Sequence, residues 1–371
     1  MKISRLECTA IDMPVRPEVA IVGARGGHLT SPFAILRVHT DEGIVGLGEV
    51  SCTPGWSGED HVTACHLIRT YLEPVLVGSD PFDIGRLATL MASRLANNPF
   101  TRAGVEMALW DILGRAANLP LYQLWGGGHR DSVPTKFSVS GREPKEAARI
   151  ASWAVEQGFT AMKVKVGGDL RADVARVEAV REAVGPDTLL GVDANGGWSP
   201  WVAAQAVDRL SDFDIAFVEQ PLARGRIGAM AAVRGRTSIP ILADESVETS
   251  LDALDLIRAD AVDAVSIYVG KGAGLSMARE IMALAAAAGL GATIGSNGEL
   301  GIATAAMTHL GMVLPKGAPE SLPCDILSVF MYEDMLVREP LDIVAGRATP
   351  SSAPGLGVEV DEERLQHYRV N

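Results

Sequence analysis

The sequence predicts an α/β protein in which a parallel barrel follows a smaller α+β domain. Three observations carry this. From Val133 onward, short apolar runs of β type alternate strictly with amphipathic or alanine-rich segments, the pattern of a parallel sheet with crossover helices. The polar residues Lys165, Asp193, Glu219, Asp244, Lys271 and Ser296 close successive units at intervals of ~25–28 residues, about the length of one βα unit of a barrel. The first ~125 residues lack that alternation and read as a meander followed by helices.

In chain order, Ile3–Met13, Phe33–His39 and Ile44–Gly48 are strand candidates, the last two joined by the hairpin turn Thr40-Asp41-Glu42-Gly43. Between the first two, residues Arg16 to Thr30 hold Pro17, Gly23, Gly26 and Gly27 and read as a mobile loop. Helical patterns follow at His61–Leu72, Asp83–Ala96 and Arg102–Arg115. Gly126-Gly127-Gly128 marks a boundary, dividing the chain into a first domain of residues 1–125 and a barrel of 126–339. The Pro-, Gly- and Ala-rich segment 340–371 is expected to return to the first domain.

The barrel strands are expected at Pro134–Val139, Ala161–Val166, Leu189–Ala194, Ala216–Gln220, Ile241–Asp244, Ala264–Val269 and Ala292–Gly295. The helices between and after them are Pro144–Gln157, Leu170–Val184, Pro200–Leu210, Ile227–Val233, Leu251–Arg258, Leu275–Ala288 and Leu300–Gly311. A doubly wound open sheet alternates similarly, but no Gly-x-Gly-x-x-Gly turn follows an early strand.

Bulk properties narrow the function. The 371 residues are 47% hydrophobic and carry a net charge of −13, which argues against nucleic acid or an anionic membrane as partner. Cys8, Cys52, Cys65 and Cys324 have no paired spacing, as for reduced thiols in a cytoplasm. Met1 to Pro14 lacks the apolar core of a signal peptide, and Ile281 to Ala292 is too short to span a bilayer. A cytoplasmic protein is expected.

The chemistry sits at the strand ends. Lys163 and Lys165 alternate on one apolar strand, so both project to the same face. Side by side, each raises the cost of charging the other, and at least one pKa should fall, leaving a usable general base. Asp193, Glu219 and Asp244 end three successive strands and should converge at the carboxyl rim. Three such acids need a cation, and all-oxygen ligation selects Mg²⁺, with Mn²⁺ as the alternative. Lys165 on the second strand and Lys271 on the sixth should face each other across the acids. A carboxylate substrate between them would lose its α-proton to one lysine, and the other would return a proton to the opposite face, assist departure of a β-substituent or protonate a carbanion after ring closure.

Together, Lys-x-Lys, Asp193-x-Asn195, Val218-Glu219-Gln220-Pro221, Ala243-Asp244-Glu245-Ser246 and the sixth-strand lysine resemble the enolase superfamily. The resemblance is to the muconate lactonizing enzyme (muconate cycloisomerase) subgroup of the mandelate racemase/muconate lactonizing enzyme family. It covers nearly the whole chain, including Gly46-Leu47-Gly48-Glu49 and the segment Gly104 to Asp111 of a capping domain. It implies a modified TIM barrel, (β/α)7β, with an N-terminal α+β capping domain, and a homo-oligomer. It implies Lys165 and Lys271 as acid/base pair, Lys163 as accompanying lysine, and Asp193, Glu219 and Asp244 as Mg²⁺ ligands.

Some positions depart from the pattern. Tyr268 stands where many relatives carry a lysine, and Gly272-Ala273-Gly274 replaces a Gly-Gly. Leu322-Pro323-Cys324-Asp325-Ile326 offers only Asp325 where dipeptide epimerases carry two acids, which disfavours a dipeptide. Glu245 should point away on a regular strand, so Asp244 is the expected ligand. Substrate contacts are expected from Asn195, Ser296, Glu299 and Asp325, and from Arg25, His28 and Trp56 on the cap loops. The leading function is a cycloisomerase or a racemase/epimerase acting on a small carboxylic acid. The rivals are an acid-sugar or hydroxy-acid dehydratase sharing the first step, a Schiff-base aldolase using Lys165, and a noncatalytic scaffold.

Overall fold

A computed structural model of the chain describes residues 1–315 and 322–370. In the first part, Ile3–Pro14 pairs antiparallel with Thr30–Thr40, which pairs with Val45–Ser51. One face of this sheet carries Ala34, Leu36, Val38 and Val50, and these pack with Leu72, Leu87 and Leu109 from the helices behind. The helix Pro99–Ala117 lies directly on the last strand, where Gly46 and Gly48 stand: a Cβ there would sit 2.1 Å from Ala108 O and 2.0 Å from Gly104 O. Only glycine permits that approach. The segment expected to be a loop, from Arg16 to Thr30, contains a short hairpin, Val22–Gly23 against Gly26–Gly27.

The second part is a curled parallel sheet. Its strands one to seven are Phe137–Val139, Ala161–Lys165, Leu189–Asp193, Ile215–Glu219, Ile241–Ala243, Ala264–Ile267 and Gly291–Ile294, hydrogen-bonded in that order. Each is followed by a helix: Pro144–Glu156, Leu170–Val184, Pro200–Leu210, Ile227–Arg234, Ser250–Arg258, Leu275–Ala287 and Gly301–Met312. The strands are buried on both faces, apolar toward the surrounding helices and with Ser138, Lys163, Asp193, Glu219, Ser266 and Thr293 among the buried polar residues. The ring closes through residues 322–326: Cys324 bridges Thr135 in parallel, and the Asp325 N–H donates to Ile294 O at 2.8 Å. Seven βα units and a closing eighth strand make a (β/α)7β barrel. The first strand is interrupted: Val133–Pro134 turns aside to pair with Arg347–Ala348, leaving Phe137–Val139 in the barrel sheet.

Two acids of the first part fasten it to the barrel. Glu49 accepts the backbone N–H groups of Leu300 (2.7 Å) and Ala303 (3.0 Å), at the start of the helix after strand seven. Glu106 accepts those of Leu275 (2.7 Å) and Ser276 (3.0 Å), at the start of the helix after strand six. Both satisfy free N–H groups at the positive end of a helix. These helices begin at the carboxyl ends of the strands, so the cap lies over the barrel mouth. The C-terminal segment also reaches the cap, with Val370 N–H donating to Ala10 O and Asp12 N–H to Tyr368 O. No helix among the described residues is long and apolar enough to cross a membrane.

Candidate active site

Strand alternation sends Lys163 and Lys165 inward together. Lys163, 2% exposed, donates from Nζ to Glu219 Oε1 (2.7 Å) and Asp325 Oδ2 (2.9 Å) and lies 3.5 Å from Asp193 Oδ2. Lys165 donates to Asp193 Oδ2 (2.6 Å) and Asn195 Oδ1 (3.0 Å). On strand three, Asp193 is level with Lys165, and Glu219 on strand four is level with Asp193. Lys271, in the turn after strand six, donates to Asp244 Oδ1 (2.6 Å), Asp244 O (2.6 Å) and Ser266 O (3.0 Å). The acids therefore form a row over strands three, four and five, with one lysine at the Asp193 end and another at the Asp244 end.

At Lys163 the surrounding acids dominate the electrostatics. Burial alone would lower the Lys163 pKa, but Asp325, Glu219, Asp193 and Asp244 outweigh it and hold the ammonium well above its ordinary value. Two lysines in isolation would repel; here the surrounding acids set the sign. Glu219 is pushed up to about 8, first by burial and then by Asp193, Asp325 and Asp244, with Lys163 offsetting only part. Burial would raise Asp193 too, but Lys165 and Lys163 beside it bring it down to about 2.

The strand ends are shaped by unusual backbone. Asn195 and Gln220 take left-handed conformations, φ 44° and 37°, just past strands three and four. Gln220 then braces its neighbour strand, its Oε1 accepting the N–H groups of Asp244 (2.9 Å) and Ser246 (3.2 Å). Strand five ends at Ala243, so alternation no longer governs Glu245. Instead of pointing away, it faces the site, accepting from Asn195 Nδ2 at 3.2 Å and from Trp56 Nε1 at 3.4 Å. Burial and the charges of Asp244 and Asp193 raise it to about 7.

The donor set fits a hard divalent cation. Buried Oε2 atoms of Glu219 and Glu245 have no hydrogen-bond partner among the described residues. Such orphaned carboxylate oxygens in an all-oxygen cluster are what a Mg²⁺-type ion satisfies. Among the described residues no three acids stand close enough to hold an ion as they are, because the ammoniums of Lys163 and Lys271 lie among them. An ion bound in the row would displace those contacts.

Beneath the cap lies a cavity of about 380 Å³. It brings Lys163, Lys165, Asn195, Ser296 and Asp325 of the barrel together with Arg25, His28 and Trp56 of the cap. Arg25 lies 3.8 Å from Glu245, and His28, its pKa lowered by burial, contacts Ser31 Oγ at 2.7 Å. Glu299 does not line the cavity or reach a lysine; it accepts from Ser296 Oγ (2.5 Å) and the Asn297 N–H (2.8 Å). Neither Ser296 nor Asn297 caps the following helix, where Glu49 stands instead. Asp325 is already engaged by Lys163, by Lys136 Nζ at 3.1 Å and by Ser138 Oγ at 3.5 Å.

Lys136 escaped the sequence reading. It is fully buried inside the barrel, on the stretch leading into strand one. The signal that exposed Lys163, a lysine within an apolar strand, was present in Val133-Pro134-Thr135-Lys136-Phe137-Ser138-Val139. Tyr268 was visible only as a departure from the family pattern; its contacts are tertiary.

Comparison with known proteins agrees with this geometry. Residues 7–126 match the family described as "Mandelate racemase / muconate lactonizing enzyme, N-terminal domain", and residues 145–364 match "Enolase C-terminal domain-like". N-succinyl-L-Arg/Lys racemase of Bacillus cereus is 31% identical over 371 residues, covering 100% of this chain and 98% of that protein, and its crystal structure superposes with a TM-score of 0.93. The crystal structure of 2-chloromuconate cycloisomerase from Rhodococcus opacus 1CP is 32% identical, with 100% of both chains covered and a TM-score of 0.95. That of dipeptide epimerase from Enterococcus faecalis V583, complexed with Mg and the dipeptide L-Leu-L-Tyr, is 32% identical, covers 97% of this chain and 100% of that one, and has a TM-score of 0.91. With both of its domains matched and these relatives covered over nearly their whole length, the chain belongs to the mandelate racemase/muconate lactonizing enzyme family of the enolase superfamily and is an isomerase of that superfamily.

Proposed function

We propose that the chain is a Mg²⁺-dependent isomerase that removes the proton α to the carboxylate of a small organic acid, through an ene-diolate, and returns a proton to complete a racemisation, epimerisation or cycloisomerisation. One observation carries the reading: Lys165 and Lys271 engage opposite ends of the Asp193–Glu219–Asp244 row. Those three acids would hold the ion, which when bound supplies Lewis acidity for the charge that builds on the substrate carboxylate. Lys165 takes the α-proton from one side, and Lys271 delivers or takes one on the other. Lys163 adds a positive charge beside the carboxylate. Trp56 and Arg25 of the cap close over the cavity and exclude water.

The substrate class follows from Asp325. Its charge is already met by Lys136 and Lys163, so a free substrate ammonium finds no unmatched carboxylate there. This favours an acid without a free α-amine, such as the N-succinyl amino acids or chloromuconates named for two relatives, over the dipeptide of the third. In this reading residues 1–125, joined by 340–371, form the cap and 126–339 the catalytic barrel of a cytoplasmic homo-oligomer.

Exchange of the α-proton in D₂O across a library of small carboxylic acids tests the function without a guess at the product. Exchange that disappears in EDTA and returns with Mg²⁺ supports it. No exchange with any acid, or exchange indifferent to EDTA, overturns it. Loss of a β-substituent during turnover would mark the dehydratase instead.

A further inference from the structure

Tyr268 is buried at the site yet takes no part in the proton transfers above. It directly follows strand six, and its hydroxyl donates to Asp244 Oδ2 at 2.9 Å. Its ring centroid lies 4.2 Å from Lys271 Nζ, within cation–π range. The Trp56 ring stacks on it, 5.4 Å between centroids and 14° between planes. The socket is built for a ring: Gly295, just past the neighbouring strand, leaves it room, since a Cβ there would stand 2.0 Å from Tyr268 Cε1. From the cap side, Phe100 meets Trp56 edge-on at 5.7 Å and fills the space over Gly270, the residue before Lys271. Lys271 is thus held by oxygens of strands five and six and by an aromatic ring that itself rests on a cap loop. The link from Lys165 to the cap is longer: its partners Asp193 and Asn195 both belong to the barrel, and Asn195 reaches Trp56 only through Glu245, which accepts from both.

We propose that Tyr268 is a positioning residue for Lys271 that transmits the seating of the Trp56 loop to that lysine. The proposal rests on the reading that the two lysines serve opposite faces of the substrate. It makes proton transfer on the Lys271 face depend on the seating of the Trp56 loop, through the aromatic stack, more strongly than transfer on the Lys165 face does. A displacement of an ångström suffices for a large effect, because transfer needs near-contact geometry.

The test is α-proton exchange in D₂O, followed by NMR, from each enantiomer of an acid that the Mg²⁺-loaded wild type exchanges. The enantiomer whose exchange vanishes in Lys271→Ala reports the Lys271 face. Tyr268→Leu should slow that exchange by about 10- to 100-fold and change the other enantiomer's by less than about threefold. Tyr268→Phe, which keeps the ring, should retain most of the Lys271-face rate. Phe100→Leu, which loosens the Trp56 ring from behind without lining the cavity, should repeat the unequal loss, and carries the test if Tyr268→Leu does not fold. Equal loss on both faces, or an unchanged Lys271 face in a folded variant, overturns the proposal while the two-lysine mechanism stands. A wild type that exchanges no acid removes the parent reading and this one with it.

Discussion

Lys163 Nζ lies 2.7 Å from Glu219 Oε1 and 2.9 Å from Asp325 Oδ2, so one buried ammonium ties an acid of the proposed metal row to the acid of the closing strand. Removing one partner of a buried charge cluster leaves the others uncompensated, at about 3–5 kcal/mol. Lys163→Met is therefore expected to lower the thermal midpoint of the metal-free protein markedly. Mg²⁺ should recover more stability in the variant than in wild type, since the ion supplies the missing charge. Equal midpoints in EDTA would show that Lys163 does not hold the cluster together.

Metal binding should depend on pH through Glu219. With its pKa pushed up to about 8, this carboxyl is largely protonated near neutrality and must release its proton to ligate. Mg²⁺ affinity should rise as pH increases toward 8 and level off above it. Calorimetry in two buffers of different ionisation enthalpy would detect the released proton. Glu219→Gln should abolish both the release and tight binding; proton release that persists in this variant would assign it to another group.

Lys136 and Asp325 form a buried pair at 3.1 Å. Lys136→Met should destabilise the fold by about 3 kcal/mol, because Asp325 keeps only Lys163 and Ser138. Replacing both, in Lys136→Met with Asp325→Asn, should cost less than the sum of the single changes. A coupling above about 1 kcal/mol in urea unfolding is expected; strict additivity would show that the pair is not interacting.

His309 reports on acid stability independently of the metal row. It is fully buried, stacked on Tyr122, with Nε2 3.1 Å from Leu356 O, so the neutral ring carries its proton on Nε2. Burial lowers its pKa from 6.5 to about 4. The folded state thus binds this proton less tightly than the unfolded state. The contribution is complete above about pH 6.5 and is lost as pH falls toward 4, amounting to about 3 kcal/mol. His309→Gln should flatten that part of the stability–pH curve, and a curve of unchanged slope would reassign the loss to other groups.

Much of the architecture is legible in the sequence because it is local. Period-2 alternation puts Lys163 and Lys165 on one face, and the ~25–28-residue spacing puts Lys165, Asp193 and Glu219 at the last positions of their strands. The limits of that reasoning appear where a strand stops. Asp244 lies one residue past strand five and Lys271 four past strand six, so their directions come from turns rather than from alternation. Glu245 faced the site for that reason. Lys136 lay within reach of the same logic, but an isolated lysine has no neighbour to mark it as part of a network.

By itself, then, the sequence determined the alternation of elements, the family, and which acids and lysines arrive at the barrel rim, since each rests on periodicity, spacing or motif within a few dozen residues. Tertiary structure decided the rest. Ring closure through Cys324 and Thr135 brings Asp325 between Lys136 and Lys163. Packing of the cap brings Trp56 onto Tyr268 and places Glu49 and Glu106 at barrel helix ends. The raised pKa of Lys163 also comes from tertiary structure, because a pKa sums the field of every buried charge around it. Those charges come from strands more than a hundred residues apart, and only the closed barrel sets their distances.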